Sequence, residues 1–358
     1  MQTTTVNVGI IGVGGIANGK HMPSLAKLPN VRMVAFCDLI EERARRGAQD
    51  FGVPGAKVFT DYRRLLDMDE IDVVHVLTTN DGHAPISIDA LKAGKHVMCE
   101  KPMAMNAAQA KAMIEAARES GKKLTIGYQL RQRPQYQYLK QICDRGELGR
   151  IYFTKALTIR RRGVPTWGQF LSREKQGGGP LIDNTTHVLD LLMWLTDNYQ
   201  PASVMGSTFY ELGKTPNAVN MWGPWDPDEF TVEDSACGII KFKDGMTALI
   251  ETSWALNTLR TDEASIVLCG SRAGADVSDD LRINGEKLNR LYEIIPDFNV
   301  GVPKENPGEL EARQWIDAIV NDKEPLVKPE QALAVTKILD AIYKSAETGR
   351  AVYFDDPE

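Results

Sequence analysis

From Val6 onward, short apolar runs rich in β-formers alternate with segments whose apolar positions return at helical spacing. VNVGIIG, VRMVAFCD, IDVVHVLT, KHVMCEK and KLTIGY read as strands, and IEERARRGAQDFG, ISIDALKAG and AAQAKAMIEAARESG as helices between them, with one more helix after the first run. Strands alternating with helices of this length predict βαβ units and a mostly parallel sheet covered on both faces. Residues 1–125 are assigned to this α/β domain.

The texture then changes. After a helix near Gln135 to Arg145 come long β-type segments: RIYFTKALTIRR, ASVMGSTFYELG, SACGIIKFKDGMTALIETSWAL and EASIVLCGS. In the third, Asp244-Gly245 separates two alternating runs, which predicts a hairpin with positive φ at both turn positions. These features predict an α+β domain over residues 126–358, built on a large, mostly antiparallel open sheet. One face of such a sheet needs a cover, and a second copy of the chain is the expected one, giving a homo-oligomer. ELEARQWIDAIV and PEQALAVTKILDAIYKSAETG read as amphipathic helices, the second stopping at Gly349; both are candidates for packing back on the first domain.

Composition narrows the partners. At 358 residues the chain has room for two domains, and it carries no apolar run of the ~20 residues that a bilayer crossing takes. The opening MQTTTVNVGIIG has no basic segment ahead of its apolar run, so it reads as a first strand and not as a secretory signal. Five cysteines, odd in number and without C-x-x-C spacing, read as free thiols of a reducing cytoplasm, and no metal site is expected. The net charge of −6 argues against a broad nucleic-acid footprint, with Arg160-Arg161-Arg162 a local exception.

VGIIGVGGIANGK places Gly12-x-Gly14-x-x-Ala17, with Gly15 as an extra glycine, between the first strand and a helix. Glycines there permit a tight turn and close backbone approach, and the helix N-terminus beyond them receives a pyrophosphate. Asp38 ends the next strand about 20 residues on, where a carboxylate accepts bonds from the adenosine ribose diol. The first domain is therefore expected to be a Rossmann dinucleotide-binding domain, with Gly12, Gly14, Gly15, Ile16, Ala17 and Asp38 at the cofactor. A carboxylate at Asp38 repels a 2′-phosphate, which favours NAD over NADP; Arg43, Arg45 and Arg46 read as a solvated helix face. Thr78, Thr79, Asn80 and His83 follow IDVVHVLT at the carboxyl edge of the sheet, where doubly wound folds bind ligands. All four are candidates for the cofactor; Asn80 is read as a cofactor contact, and for His83 the cap of the helix that follows is the favoured reading.

CEKPMA at Cys99–Ala104, with GVGGIA before it and GGGPLIDNTTH after it, resembles the glucose-fructose oxidoreductase / inositol dehydrogenase (Gfo/Idh/MocA) oxidoreductases over essentially the whole chain. The resemblance implies Lys101 beside the nicotinamide, and Asp183 and His187 of the G-G-x-x-x-D-x-x-x-H pattern as further catalytic groups. Glu100 and Gln129 are assigned to the cofactor. Without that context Lys101 reads as a solvated lysine and His187 as a satisfied core histidine, four residues from Asp183 on one helix face. Oxidising a secondary alcohol requires hydride transfer to nicotinamide and loss of the hydroxyl proton. His187 is expected to take the proton and Lys101 to orient the oxygen, with the reverse assignment open, and Asp183 to position substrate or tune the histidine. Tyr128, Arg131, Arg162, Trp167 and Thr186 are expected to contact a polyhydroxylated substrate through stacking faces and bidentate donors.

Asn184-Thr185-Thr186 departs from the family's usual small residues before the histidine, as either sugar-binding groups or helix caps. The expected activity is an NAD-dependent interconversion of a hydroxyl and a ketone on a sugar, glycoside or cyclitol, with C3 of a glycoside as a specific case. The alternatives are a redox-assisted glycosidase that retains NAD and a non-catalytic dinucleotide-binding regulator.

Overall fold

The computed structural model describes residues 4–278, 280–299 and 305–354. Its chain divides into two compact units: one takes the chain up to Gln132 together with the segment ending at Leu333, the other takes Arg133 to residue 299 and then Ala334 onward.

The first unit holds six parallel strands: β1 (Val6–Ile11), β2 (Val31–Cys37), β3 (Lys57–Phe59), β4 (Val73–Val76), β5 (His96–Cys99) and β6 (Leu124–Ile126). Their order is β3-β2-β1-β4-β5-β6, so the winding reverses at β1 and β4, the place where doubly wound sheets take ligands beyond the strand ends. A single π-helical turn, Ala17–His21, leads into α1 (Met22–Ala26), and α2 (Glu41–Phe51), α3 (Tyr62–Leu66), α4 (Asn80–Lys92) and α5 (Ala107–Ser120) follow. Helices cover both faces. One face packs Val8, Ile10, Phe36 and Val73 against Met22, Leu25, Trp315 and Ile316; the other packs Ile11, Val74, Val76 and Val97 against Ala90, Leu91, Met113 and Ala117.

In the second unit, α6 (Pro134–Asp144), β7 (Ile151–Ile159), α7 (Arg173–Gln176), α8 (Pro180–Asp183) and α9 (Thr185–Thr196) precede the strands β8 (Pro201–Phe209), β9 (Ser235–Phe242), β10 (Thr247–Ser253), β11 (Asp262–Gly270), β12 (Ala273–Val277), β13 (Leu281–Lys287) and β14 (Arg290–Ile294). Helix α10 (Pro307–Val320) belongs to the first unit, α11 (Pro329–Thr348) begins in the first unit and continues in the second, and the short β15 (Val352–Tyr353) follows in the second. The nine strands run β14-β13-β12-β11-β7-β10-β9-β8-β15, antiparallel except for β7 beside β10. The fold class is the expected one: a Rossmann-like sheet followed by a large, mostly antiparallel sheet.

On that large sheet Val204, Ile240, Ala248 and Leu268 lie in register and buried. The adjacent row on the opposite face starts with Met205 and Ile239, which are 56% and 47% exposed, and continues through Leu249, Lys155 and Val267. The hairpin at Asp244-Gly245 forms, but only Gly245 takes positive φ, at 88°. Gly245 N donates to Phe242 O and Met246 N to Asp244 Oδ1, a three-residue loop in which the aspartate accepts a backbone bond instead of bending left-handed. Among the described residues no helix is long and apolar enough to cross a membrane.

Candidate active site

In the first unit the glycine turn is fixed from several directions. Gly12 has φ 90° and its N–H donates to Cys37 O at 2.8 Å. A Cβ there would stand 2.5 Å from Leu77 O, so only glycine fits. Val13 N donates to Asp38 Oδ2 at 2.8 Å, and Asn18 Nδ2 donates to Val13 O and Gly14 O. Asp38 thus braces the turn; its Oδ1 also accepts from Ile40 N at 2.9 Å, and each oxygen keeps a lone pair for a ribose hydroxyl.

A Cβ on Gly14 or Gly15 would meet nothing within 4 Å, which leaves bare backbone open to a bulky anion beside a helix start. Ile16 is 39% exposed at that opening, whereas Ala17 is buried in the core. These residues fit a dinucleotide with an unphosphorylated ribose. Thr78 and Thr79 end in the same edge region, after β4: Thr78 Oγ1 donates to Thr79 O and Thr79 Oγ1 to Asp81 Oδ1. Asn80 opens α4 and Gln129 lies half-buried in a tight turn after β6.

Among the expected site residues, His83, Glu100, Tyr128 and Arg131 are buried. His83 has Nδ1 2.7 Å from Pro102 O and Nε2 3.1 Å from Thr78 O, so its ring braces two loops. Burial keeps this imidazole below its ordinary pKa, so it is neutral and donates to one carbonyl at a time. Glu100 is buried as well. Its Oε1 accepts from Lys20 Nζ and His21 Nε2, and its Oε2 from the Lys101 backbone N–H at 3.0 Å, so the carboxylate is spent inside the protein. Burial alone would raise its pKa, but Lys20 and His21 outweigh that and hold it well below the usual carboxylate range.

Tyr128 is 1% exposed in the core of the first unit and presents no stacking face. Arg131 is fully buried and donates to Leu326 O at 3.1 Å and Gln331 Oε1 at 2.8 Å, a clamp on a distant segment. Lys101 itself is half-buried just past β5 and ahead of a cis proline bond to Pro102.

In the second unit, GGGPLIDNTTH forms a helix start earlier than the capping pattern suggests. Gly179 is the N-cap of α8; Asn184 has helical φ and ψ, so α8 and α9 run on as nearly one helix, and the Asn184 side chain caps nothing. Asp183 and His187 lie four residues apart on one face, both half-buried, while Thr185, Thr186 and Asp190 are buried.

The helix start is held by a residue that sequence reading missed. Glu233, from the loop before β9, accepts from Gly179 N at 2.9 Å, Leu181 N at 3.0 Å and Tyr343 OH at 2.9 Å. Burial raises the Glu233 carboxyl, with those donors partly offsetting it, and burial beside Glu233 raises the Tyr343 phenol. A Cβ on Gly178 would lie 1.9 Å from the Tyr343 hydroxyl, and one on Gly179 would lie 2.2 Å from Glu233 O. The glycines are therefore needed by the clamp. The only local hint was a pair of acids, Glu233-Asp234, set directly against an apolar strand.

Arg162 spends its guanidinium on Arg161 O, Leu256 O and Asn257 Oδ1. Trp167 is 52% exposed and stands edge-to-face with Trp222 at 5.0 Å and with Phe170 at 6.0 Å, and Phe170 packs against a buried cluster that includes Phe230, Val232 and Trp254. Among the described residues no group of three or more His, Cys, Asp and Glu is arranged to hold a metal ion.

The fold and the glycine turn of the first unit define an oxidoreductase with a nucleotide-binding domain. Residues 6–128 match the oxidoreductase family with NAD-binding Rossmann fold, and residues 136–276 match the GFO/IDH/MocA C-terminal domain. The chain belongs to this Gfo/Idh/MocA family. It is 35% identical over 358 residues to the D-glucoside 3-dehydrogenase of Escherichia coli K12, covering 98% of each chain. It is 31% identical over 203 residues to the inositol 2-dehydrogenase of Salmonella paratyphi B, covering 56% of this chain and 57% of that one. The solved aldose-aldose oxidoreductase of Caulobacter crescentus, at 24% identity, superimposes with a TM-score of 0.82 over 98% of this chain and all of its own.

Proposed function

We propose that this protein is an NAD-dependent dehydrogenase interconverting a secondary hydroxyl and a ketone on a sugar or cyclitol, with C3 of a D-glucoside as its reaction centre. The observation that carries this reading is full-length likeness to a D-glucoside 3-dehydrogenase, alongside a fingerprint turn whose open glycines and Asp38 suit NAD.

Bound NAD supplies the hydride acceptor. His187 takes the proton of the reacting hydroxyl, and Lys101 donates to the same oxygen, holding the hydroxyl in line and stabilising the charge that develops on it. Asp183, one turn before His187, orients the imidazole or a neighbouring hydroxyl. The Glu233 clamp keeps the Asp183/His187 face fixed by pinning the first N–H groups of α8. Trp167 offers an exposed ring for stacking, and the sugar supplies the hydroxyls.

The exposed row of Met205 and Ile239 supports a homo-oligomer through the open sheet, and the scattered free thiols support a reducing cytoplasm. The test is incubation of the purified protein with NAD and a panel of glucosides, free sugars and inositols, following NADH absorbance and product mass. NADH with a product two hydrogens lighter is expected for glucosides. Aglycone release without net NADH would replace the reading by a glycosidase, and tight NADH binding without turnover on any member by a regulator.

A further inference from the structure

Lys20 and His21 are consecutive, yet both reach one oxygen: Glu100 Oε1 lies 2.5 Å from Lys20 Nζ and 2.8 Å from His21 Nε2. They sit in the π-helical turn Ala17–His21, the local irregularity that brings neighbours onto one inward face and that recurs at functional sites. Lys20 also donates to Glu311 Oε2 on α10 at 3.0 Å. A carboxylate only accepts, so His21 donates from Nε2, and its bare Nδ1 accepts from His75 Nδ1 at 3.1 Å. Lys20, His21, Glu100 and Glu311 are all buried, and the second oxygen of Glu100 takes the Lys101 backbone N–H.

A buried ion pair is weak evidence for stability as such, since apolar replacements often do as well. What this one does is geometric. One carboxylate ties the turn that follows Gly14 and Gly15 to the backbone of Lys101, and the aliphatic stem of Lys20 packs against Gly308, which locks α10 into the same arrangement.

We propose that Lys20 and Glu311 are positioning residues for Lys101: they fix the Glu100 carboxylate, which holds the Lys101 N–H and so sets the direction in which the Lys101 side chain leaves the end of β5. The functional weight of this rests on the reading of Lys101 as the group that orients the hydroxyl.

Removing Lys20 alone leaves two buried carboxylates facing each other, so the test is the charge-balanced Lys20→Met/Glu311→Gln protein, with Glu100→Gln as a second variant that keeps the Lys20–Glu311 pair. Both are measured with NADH as the binding probe. In each, the Lys101 amide should exchange with solvent at least tenfold faster, kcat should fall tenfold or more, and NADH affinity should stay within about threefold of the parent. Parent-like exchange and kcat in either folded variant would overturn the proposal. Lys101→Ala separates the two layers: if it turns over normally, the catalytic reading of Lys101 is lost, while the exchange data still judge the clamp.

Discussion

Two glycines two residues apart should fail in different ways when given one methyl group. Gly12→Ala forces a side chain into φ 90°, a conformation that costs roughly 1–2 kcal/mol for an L-residue. Its Cβ would also lie 2.5 Å from Leu77 O, on a backbone held by Leu77 N donating to Ile11 O at 2.8 Å. Overpacking against such a fixed atom adds ~1–3 kcal/mol. The sum, about 2–5 kcal/mol, lowers the melting temperature by roughly 4–20 °C for a unit of this size.

Gly14→Ala meets no atom within 4 Å and needs no unusual φ, so stability should hold or rise by up to about 1 kcal/mol. The methyl would instead occupy the space kept clear for a phosphate. Losing one backbone N–H bond to that anion costs about 1.5–3 kcal/mol, which is roughly 10–150-fold in affinity. Thermal unfolding and NADH fluorescence titration of both variants measure the two quantities. NADH binding at parent affinity by Gly14→Ala would refute the placement of the pyrophosphate at this opening.

Tyr343→Phe removes a hydroxyl donor from the buried Glu233 carboxylate and should destabilise the protein by about 1.5–3 kcal/mol, read by thermal unfolding; an unchanged melting point would sink the clamp. Gly178→Ala should cost more, and Tyr343→Phe introduced on top of it should recover part of the loss, because the hydroxyl is the nearest atom to the new methyl. Arg131→Met should lower the melting temperature while KM for the sugar stays within about twofold; a selective rise in KM without destabilisation would return Arg131 to the substrate. The Glu100 carboxyl is held below its unfolded value of 4.5, so its contribution is complete above that pH and is lost as pH falls toward the folded value. Stability measured below about pH 4.5 should therefore fall less steeply in Glu100→Gln than in the parent, and equal slopes would contradict the buried pairing.

Much of the fold was legible because its signals are local. The alternation of apolar runs and helical patterns, the glycine turn and Asp38 each depend on neighbours along the chain. Short or polar elements were not: β3 has three residues, and β13 and β14 expose Leu291 and most of their polar positions. Their connecting turn places Leu288 and Asn289 at φ 53° and 58°, and a leucine in that conformation gives no turn signal.

The site divides along the same line. Lys101, Asp183 and His187 were singled out by family resemblance and not by residue type alone, because burial decides whether a polar residue faces a ligand or a neighbour, and burial comes from distant segments. Arg131 meets a partner 200 residues away, Lys20 meets Glu311 across 291, and Glu233 reaches Gly179 across 54. The tight spacing in GGGPLIDNTTH correctly indicated a helix with Asp183 and His187 on one face. It did not indicate that Glu233 and Tyr343 are what the glycines make room for.

The most direct measurement is hydride tracing with a D-glucoside deuterated at C3 and unlabelled NAD. Deuterium in the NADH formed, equal in amount to a 3-keto product, is the predicted result, with the signal abolished in Lys101→Ala and His187→Ala while NADH binding persists. A product formed with no deuterium in NADH, or label transfer undiminished in both variants, would contradict the account.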